Sequence, residues 1–327
     1  MQTSLSAIVS RFKNKRVVVW GDLILDQYVY TSAGRVSREA PVLVTEFERN
    51  EYRLGGAGNV VMNLQTLGAV PLPVSFVGRD PSGEILRGLL REQGIDTGAL
   101  VAADGFATPL KSRILSGGDN TKKQQILRID TLSPEAVNER ARLKLARGLA
   151  NLLAESDFLV LSDYLAQAVV PGIFQAMRRK FPAVACAVDS RSRLLEFPGV
   201  TLATPNEPEI KNLFPHKKFF SEGDFLAAGA ELLQRLGAEG VVLKRGHRGM
   251  LVFQRGEKPA VLDIFGTSQI VDVTGAGDTV LAVLALGLAS RASLLEAARL
   301  ANIAGGIVVM HEGAYPVRRR ELQDVLR

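Results

Sequence analysis

Short apolar runs alternate with longer amphipathic segments over most of this chain. The runs Arg16–Asp22, Phe158–Tyr164, Ala183–Asp189 and Thr201–Thr204 have the length and composition of buried strands, and helical periodicity covers intervals such as 134–154. Strands that alternate with helices predict an α/β fold with a mainly parallel, doubly wound sheet and helices on both faces. Further helices are predicted at 60–67, 82–93, 170–180 and 294–310, and further strands at 73–77, 240–246 and 249–253.

Two regions replace this rhythm with strict alternation of apolar and polar residues, at 27–54 and 107–130. A period of two is typical of antiparallel strands with one face in water. We predict that both regions form one small β-sheet, which projects as a lid from a single domain spanning 1–327. Because an exposed sheet edge tends to find a partner, we also expect a homodimer formed through this lid.

The stretch Val271–Ala289 joins a polar, glycine-containing loop to an apolar helix. Gly275 and Gly277 let backbone N–H groups approach a ligand, and the helix N-terminus favours negative charge there, so residues 275–277, with Ala276 between the glycines, are a candidate anion hole. Asp278 is a candidate general base that takes a proton from an attacking hydroxyl group. A tight turn ending in an N-cap aspartate explains the same residues.

Other polar residues follow predicted strands. Asp22 ends the first strand and Asp26 lies four residues further on, where open α/β sheets bind ligands, although turn aspartates are an equal alternative. The segment Gly55-Gly-Ala-Gly-Asn59 lacks the third glycine of a dinucleotide-binding motif, so we interpret it as a platform beneath a polyhydroxy substrate, with Asn59 as a hydrogen-bonding group. Close packing of small residues is the alternative.

A second set of polar residues suits a nucleotide and its metal ion. Asn206 and Glu209 are three positions apart and can hold a hydrated Mg²⁺ against phosphates, while an acidic helix N-terminus is the alternative. A glycine-rich turn between two predicted strands brings Lys244 or Arg245 near the phosphates, although a simple hairpin explains the same pattern. The candidate ATP contacts are Asn206, Glu209, Lys244, Gly246, Gly249, Asp272, Thr274 and Asn302.

Composition argues against several other classes of protein. With 327 residues and 46% hydrophobic residues the chain is globular, and no apolar run reaches the roughly 18 residues of a membrane span. The first residues lack the pattern of a signal peptide, so a cytoplasmic protein is expected. Cys186 lies in an apolar strand, and the three histidines are not spaced as zinc ligands.

The chain is basic, with a net charge of +6 and a pI near 9.5. No block of lysine and arginine is longer than three residues, which makes a nucleic acid an unfavoured partner. Dispersed positive charge suits small anionic substrates such as nucleotides and sugar phosphates.

Three motifs, Gly55–Asn59, Asn206–Glu209 and Asp272–Asp278, resemble those of the ribokinase-like (PfkB) carbohydrate kinases in order and approximate spacing, and the resemblance covers nearly the whole chain. Within that family the chain is most similar to the kinases of D-glycero-β-D-manno-heptose 7-phosphate, including the kinase half of a bifunctional heptose enzyme. The segments that carry this closer resemblance are Gly21–Tyr28, Arg35–Val42, Leu161–Tyr164, Thr204–Asn206 and Val271–Thr279.

The resemblance implies ATP-dependent phosphorylation of the anomeric hydroxyl of heptose 7-phosphate to the 1,7-bisphosphate, with Mg²⁺ as cofactor and a monovalent cation as a further candidate. It implies that Asp278 is the catalytic base, that residues 275–277 form the anion hole, and that Asn206 with Glu209 organises Mg-ATP, with Glu209 acting through water. The residues implied to contact the sugar or its phosphate are Asp22, Asp26, Gly55, Gly56, Asn59, Lys111 and Arg128.

Two segments depart from the heptose kinase pattern. Ser37-Arg-Glu-Ala-Pro41 stands where Ser-Pro-Glu-Ala-Pro is usual, and Asp189-Ser-Arg191 stands where Asp-Pro-Lys is usual. A kinase for another sugar or a nucleoside is therefore the first alternative, and a catalytically silent sugar- or nucleic-acid-binding protein is the second. The string His311-Glu-Gly-Ala314 lacks the second histidine of the His-x-Gly-His motif, so nucleotidyl transfer is not expected.

Overall fold

The computed structural model describes residues 4–118, 122–133, 135–266 and 270–327. Its strands are β1 (Arg16–Gly21), β2 (Leu23–Val36), β3 (Leu43–Gly56), β4 (Val70–Val77), β5 (Leu100–Ala102), β6 (Leu110–Gly117), β7 (Gln124–Thr131), β8 (Phe158–Asp163), β9 (Cys186–Ser190), β10 (Leu202–Ala203), β11 (Gly240–Lys244), β12 (Met250–Gln254) and β13 (Ala260–Leu262). Its α-helices are α1 (Leu5–Ser10), α2 (Ala57–Thr66), α3 (Pro81–Glu92), α4 (Glu139–Leu153), α5 (Pro171–Lys180), α6 (Glu207–Leu213), α7 (Glu222–Leu236), α8 (Ala276–Ala289), α9 (Leu294–Val308) and α10 (Arg319–Val325).

The larger sheet contains nine strands of the described residues, in the order β13-β12-β11-β10-β9-β8-β1-β4-β5. All neighbours from β11 to β5 pair in parallel, whereas β12 pairs antiparallel with β11 and β13. Apolar side chains from α2, α8 and α9 form one buried cluster with the sheet, and those from α4, α5 and α7 form the other. The predicted α/β fold, with a mainly parallel sheet and helices on both faces, is confirmed.

The smaller sheet has the order β3-β2-β6-β7, so the two alternating regions do join into one sheet. Its outer pairs are antiparallel and its central pair, β2 with β6, is parallel. Leu23 at the start of β2 pairs with Gly56 at the end of β3, directly after β1, so the base of this sheet lies against the end of the core strand. We call this four-stranded sheet the lid.

Capping interactions explain where several helices begin. α4 begins at Glu139 because the Asn138 side chain accepts a hydrogen bond from the Ala141 amide at 2.9 Å, later than predicted, and Pro134 itself lies outside the described residues. α2 begins inside the glycine-rich segment, at Ala57. α7 was not predicted, although Phe225, Ala228, Leu232 and Leu236 give it a buried helical face. Within the described ranges, no helix combines the length and apolar character needed to cross a bilayer.

Candidate active site

Asp278 lies in the first turn of α8, directly after the glycine-containing loop. Gly275 is the N-cap and has φ +77°, a left-handed conformation that glycine adopts without strain. No side chain caps this helix, so its first turn presents backbone N–H groups at the positive end of the helix dipole. The Ala276 amide donates to the Val273 carbonyl at 3.2 Å. It is therefore bonded within the turn, and of the predicted anion hole the amides of Gly275 and Gly277 remain as candidate donors.

The Asp278 carboxylate is buried, and both of its oxygens accept hydrogen bonds. Tyr164 Oη donates to Oδ1 at 2.8 Å, and Asn59 Nδ2 donates to Oδ2 at 3.0 Å. Burial raises the pKa of Asp278 to about 6, although these two hydrogen bonds favour its ionised form. A carboxylate with this pKa is ionised at neutral pH and remains basic enough to accept a proton. The structure therefore brings Asn59 and Asp278 together.

Gly55 and Gly56 form the end of β3, against the first strand and the lid. A Cβ atom at Gly55 would lie 2.3 Å from Asp26 Oδ2, and one at Gly56, which has φ +56°, would lie 2.6 Å from the Asp22 carbonyl oxygen. Both positions thus require close backbone approach, the packing role that was the alternative for this segment. Asn59 follows in the first turn of α2 and supplies the polar group of the platform.

The Asp22 carboxylate is buried and makes internal hydrogen bonds, unlike the sugar contact that the family resemblance implies. Its carboxylate accepts backbone N–H groups from Tyr164 at 2.8 Å, Ala166 at 3.0 Å and Ala168 at 2.8 Å. Burial raises the pKa of Asp22 to about 6 in spite of these three donors. Asp22 therefore holds the loop that follows β8, and with it Tyr164, the partner of Asp278.

Asp26 lies at the base of the lid in a buried ion pair. Arg113 Nη1 donates to Asp26 Oδ1 at 2.7 Å, and the side chains are 15% and 6% exposed respectively. Lys111 lies directly opposite Asp26 on β6. Arg128 lies opposite Arg113 on the outer strand, where it is exposed and pairs with Asp130 at 2.9 Å. Arg113 is thus the cation paired with Asp26, and Arg128, implied by the resemblance to contact the substrate's phosphate, pairs with Asp130.

A cavity of about 250 Å³ lies where the β11–β12 turn meets α8 and α9. Its polar lining includes five of the eight predicted ATP contacts, namely Asn206, Lys244, Gly246, Gly249 and Asn302, and Gly277 lies at its wall. Its apolar lining is formed by Met250, Ile264, Ile270, Val273, Val280 and Val309. An apolar cleft with a few polar groups at one end suits a nucleotide whose base enters the cleft.

Lys244 connects this cavity with the end of β9. Its Nζ is 2.6 Å from Asp189 Oδ2, and a Cβ atom at Gly277 would lie 3.5 Å from the same nitrogen. Despite burial, the neighbouring carboxylates raise the pKa of Lys244, so it remains a cation. A buried cation beside the first turn of α8 favours negative charge there.

Asn206 and Glu209 form a capping box at the start of α6. Asn206 Oδ1 accepts from the Glu209 amide at 2.9 Å, and Glu209 Oε2 accepts from the Asn206 amide at 2.8 Å. Asn206 is therefore the N-cap of α6, and Glu209 lies in the first turn of that helix. Burial, followed by the charge of Asp189, raises the pKa of Glu209 to about 7. A divalent cation near Glu209 and Asp189 would reduce the repulsion between the two carboxylates and favour the ionised form of Glu209.

The described residues contain no group of three or more His, Cys, Asp and Glu side chains that could hold a metal ion. Mg²⁺ can fit here through water molecules and nucleotide phosphates rather than a protein cage. Asp272 does not line the cavity between the β11–β12 turn, α8 and α9: its Oδ1 accepts from the amide and hydroxyl groups of Thr274 at 2.9 and 2.7 Å, and its Oδ2 accepts from the Gly313 amide at 2.9 Å. Asp272 and Thr274 therefore shape the loop before α8.

Three residues at this site had no predicted role: Tyr164, Arg113 and Arg191. Tyr164 and Arg191 directly follow β8 and β9, at the same sheet edge that the strand pattern identifies as the ligand crevice. That position could have indicated both of them. Arg113 carries no such signal, because its contact with Asp26 depends on the pairing of β2 with β6.

A family model described as pfkB family carbohydrate kinase matches residues 14–319. The bifunctional protein HldE of Desulfatibacillum aliphaticivorans is 35% identical over 322 residues, which cover 98% of this chain and 64% of that protein. HldE of Caulobacter vibrioides is 37% identical over 328 residues, which cover 98% of this chain and 65% of that protein. The chain thus spans less than two thirds of the length of these curated relatives.

Solved structures agree in fold at lower sequence identity. Arabidopsis thaliana ribokinase complexed with ribose and ATP has a TM-score of 0.73 and 21% identity, covering 96% of this chain and 99% of that one. The tetrameric inhibited form of phosphofructokinase-2 from Escherichia coli has a TM-score of 0.74 and 20% identity, covering 96% and 98%. Likeness at this identity establishes the ribokinase-like fold and nothing finer.

Proposed function

Since the chain belongs to the pfkB family of carbohydrate kinases, we propose that it transfers the γ-phosphoryl group of ATP to the anomeric hydroxyl of D-glycero-D-manno-heptose 7-phosphate. Membership of this family means that the chain is a phosphotransferase that acts on a sugar hydroxyl. The heptose is suggested by the HldE relatives, of which this chain covers only part. The observation that carries the proposal is the buried Asp278 carboxylate, held between a nucleotide-sized cavity and the glycine platform.

In the proposed mechanism Asp278 accepts the proton of the sugar hydroxyl as its oxygen attacks the γ-phosphorus. Asn59 and Tyr164 hold the carboxylate in place, so little reorganisation precedes proton transfer. The Gly277 and Asp278 amides in the first turn of α8 and the Lys244 ammonium group are proposed to stabilise the negative charge that develops on the phosphoryl oxygens.

Asn206, Lys244, Gly246, Gly249 and Asn302 are proposed to bind ATP, because they line one cavity with an apolar wall for the base. Glu209 is proposed to hold Mg²⁺ through water, and the metal ion would neutralise phosphate charge when bound. The lid is proposed to cover the sugar and to exclude water on closure, within a single kinase domain.

The lid also presents a surface suited to a second copy of the chain. Leu127 and Ile129 alternate with Arg128 on β7, so they lie on the face opposite Arg113, and they are 54% and 52% exposed. Phe47 on the outer strand β3 is 65% exposed. Exposed apolar side chains on a sheet with two open edge strands favour self-association, so we propose that the lid forms a homodimer.

Replacing Leu127 and Ile129 by glutamate is expected to convert the dimer to a monomer, because each charge would be buried without a partner at the interface. Sedimentation velocity measures the change. Phe220→Glu is the matched control, since Phe220 is 86% exposed outside the lid and its replacement should leave the mass unchanged. A monomeric parent chain, or a double variant of unchanged mass, would reject the lid dimer.

The proposed activity is tested by ADP release with heptose 7-phosphate, ribose, fructose 6-phosphate and adenosine. We expect the highest kcat/KM with heptose 7-phosphate, by at least about tenfold, since a site that pairs with a substrate group discriminates strongly against analogues lacking it. Higher activity with ribose or adenosine would reject the heptose proposal and leave the kinase assignment standing. Fructose 6-phosphate as the best substrate would retain a sugar phosphate and change its identity.

A further inference from the structure

Two cations lie against the ring of Tyr164, whose hydroxyl group donates to Asp278. Lys111 Nζ, on the lid strand β6, is 5.3 Å from the ring centroid. The Arg191 guanidinium carbon, just after β9, is 4.8 Å from it. Both distances are within the range of cation–π attraction. One cation therefore comes from the lid and the other from the core, and both are one side chain away from the catalytic carboxylate.

These cations differ in their pairing from other cations of the site. Arg113 pairs with Asp26 and Lys244 with Asp189, whereas neither Lys111 nor Arg191 has a carboxylate oxygen within 4 Å among the described residues. Burial lowers the pKa of Lys111; the Asp26 carboxylate opposes this effect, and the positive charges of Arg191 and Arg113 add to it. Lys111 and Arg191 are close enough for the charge of Arg191 to lower the pKa of Lys111, and an anion that contacts both side chains would offset this repulsion.

The position of Arg191 indicates which anion can reach it. In the central sheet β9 lies between β10, which leads to Asn206 on the nucleotide side, and β8, which leads to Tyr164 on the sugar side. Lys111 lies beside Asp26 at the base of the lid. An anion that contacts both side chains therefore lies near the boundary between the two substrates, where phosphate is the anion that both substrates carry.

We infer that Lys111 and Arg191 together bind a phosphate group beside Asp278, with the Tyr164 ring as their common platform. This inference rests on the proposed function and adds Arg191 and Tyr164 to it. The planar guanidinium group can stack on the ring and donate two parallel hydrogen bonds to phosphate, and the lysine supplies a second charge from the lid. The phosphate is either the one that the acceptor already carries or the one in transfer.

The test compares Arg191→Gln and Lys111→Gln with the parent chain, using Arg191→Lys as the conservative variant and Arg320→Gln as the control. Arg320 is a 90% exposed side chain of α10, and its replacement removes the same charge away from the site. ADP release is measured with heptose 7-phosphate and unphosphorylated heptose, and with fructose 6-phosphate and fructose. Thermal melting of each variant reports folding separately from activity.

Loss of a charge-assisted hydrogen bond is expected to change the kinetics by about 10- to 100-fold. If the acceptor carries the phosphate, Arg191→Gln and Lys111→Gln raise KM for the phosphorylated sugars and leave unphosphorylated sugars within about twofold. If the phosphate is the one in transfer, kcat falls equally with phosphorylated and unphosphorylated acceptors. This result is expected even if the parent chain prefers an unphosphorylated sugar, so it does not depend on the heptose proposal. Variants that match Arg320→Gln with every acceptor would overturn the inference.

Discussion

Replacing Asp278 by asparagine is expected to lower kcat for ADP release by about 10²- to 10⁴-fold, the usual contribution of a general base, with little change in KM for ATP. The amide keeps the shape of the side chain and an oxygen for Tyr164 or Asn59, so the fold should survive. Steady-state kinetics and a thermal melt of the same preparation separate the two effects. A variant with kcat within tenfold of the parent chain would remove Asp278 from the mechanism.

The pH dependence of kcat/KM for the sugar follows from the same carboxylate. Burial raises the pKa of Asp278 to about 6, so the base is protonated and inactive below that pH and ionised above it. We expect kcat/KM for the sugar, which reports the groups of the free protein, to rise with pH through about 6 and then level off. Glu209, with a pKa of about 7, belongs to the proposed nucleotide site and should affect kcat/KM for MgATP instead.

Tyr164→Phe identifies the group that titrates in kcat/KM for the sugar. The Tyr164 hydroxyl donates to Asp278 and favours its ionised form, so its removal should move the midpoint of the kcat/KM profile to higher pH. The ring remains for Lys111 and Arg191. A midpoint that stays in place would assign the titration to another group.

The strand pattern predicts the larger sheet well because its strands are apolar on both faces and their carboxyl ends share one edge. Asn59, Asn206, Lys244 and Asp278 could be identified from motifs, since short segments fix their local backbone. The structure then shows how they are grouped, with Asn59 on Asp278 and Lys244 in the nucleotide cavity.

The roles of Asp22 and Arg113 could not be predicted from the sequence, because they depend on contacts between residues far apart in the chain. Arg113 meets Asp26 across 87 positions, and Asp22 meets Ala168 across 146. Neither periodicity nor motif spacing determines which way a carboxylate at a strand end turns, so Asp22 and Asp26 look alike in the sequence. Only the packing of the loop after β8 shows that the Asp22 carboxylate binds the amides of that loop.

That loop stores backbone strain. Leu165 has φ +66° and Gln167 has φ +78°, left-handed conformations that cost a non-glycine residue about 1–2 kcal/mol each. Three amides of the segment 164–168 donate to the Asp22 carboxylate, and these bonds hold the segment in its conformation. The strain is thus maintained next to the candidate active site, and the hydrogen bonds to Asp22 fix the position of Tyr164.

Asp22→Ala is therefore expected to destabilise the fold by roughly 3 kcal/mol or more, since each buried donor left without an acceptor costs about 1–3 kcal/mol. Chemical denaturation measures the loss in the free energy of unfolding. Adding Leu165→Gly should recover about 1 kcal/mol, because glycine adopts the left-handed conformation freely. Asp224→Ala, which removes an exposed carboxylate that also accepts backbone amides, should cost far less because water replaces it. Equal losses from Asp22→Ala and Asp224→Ala would show that the Asp22 carboxylate does not hold the strained loop.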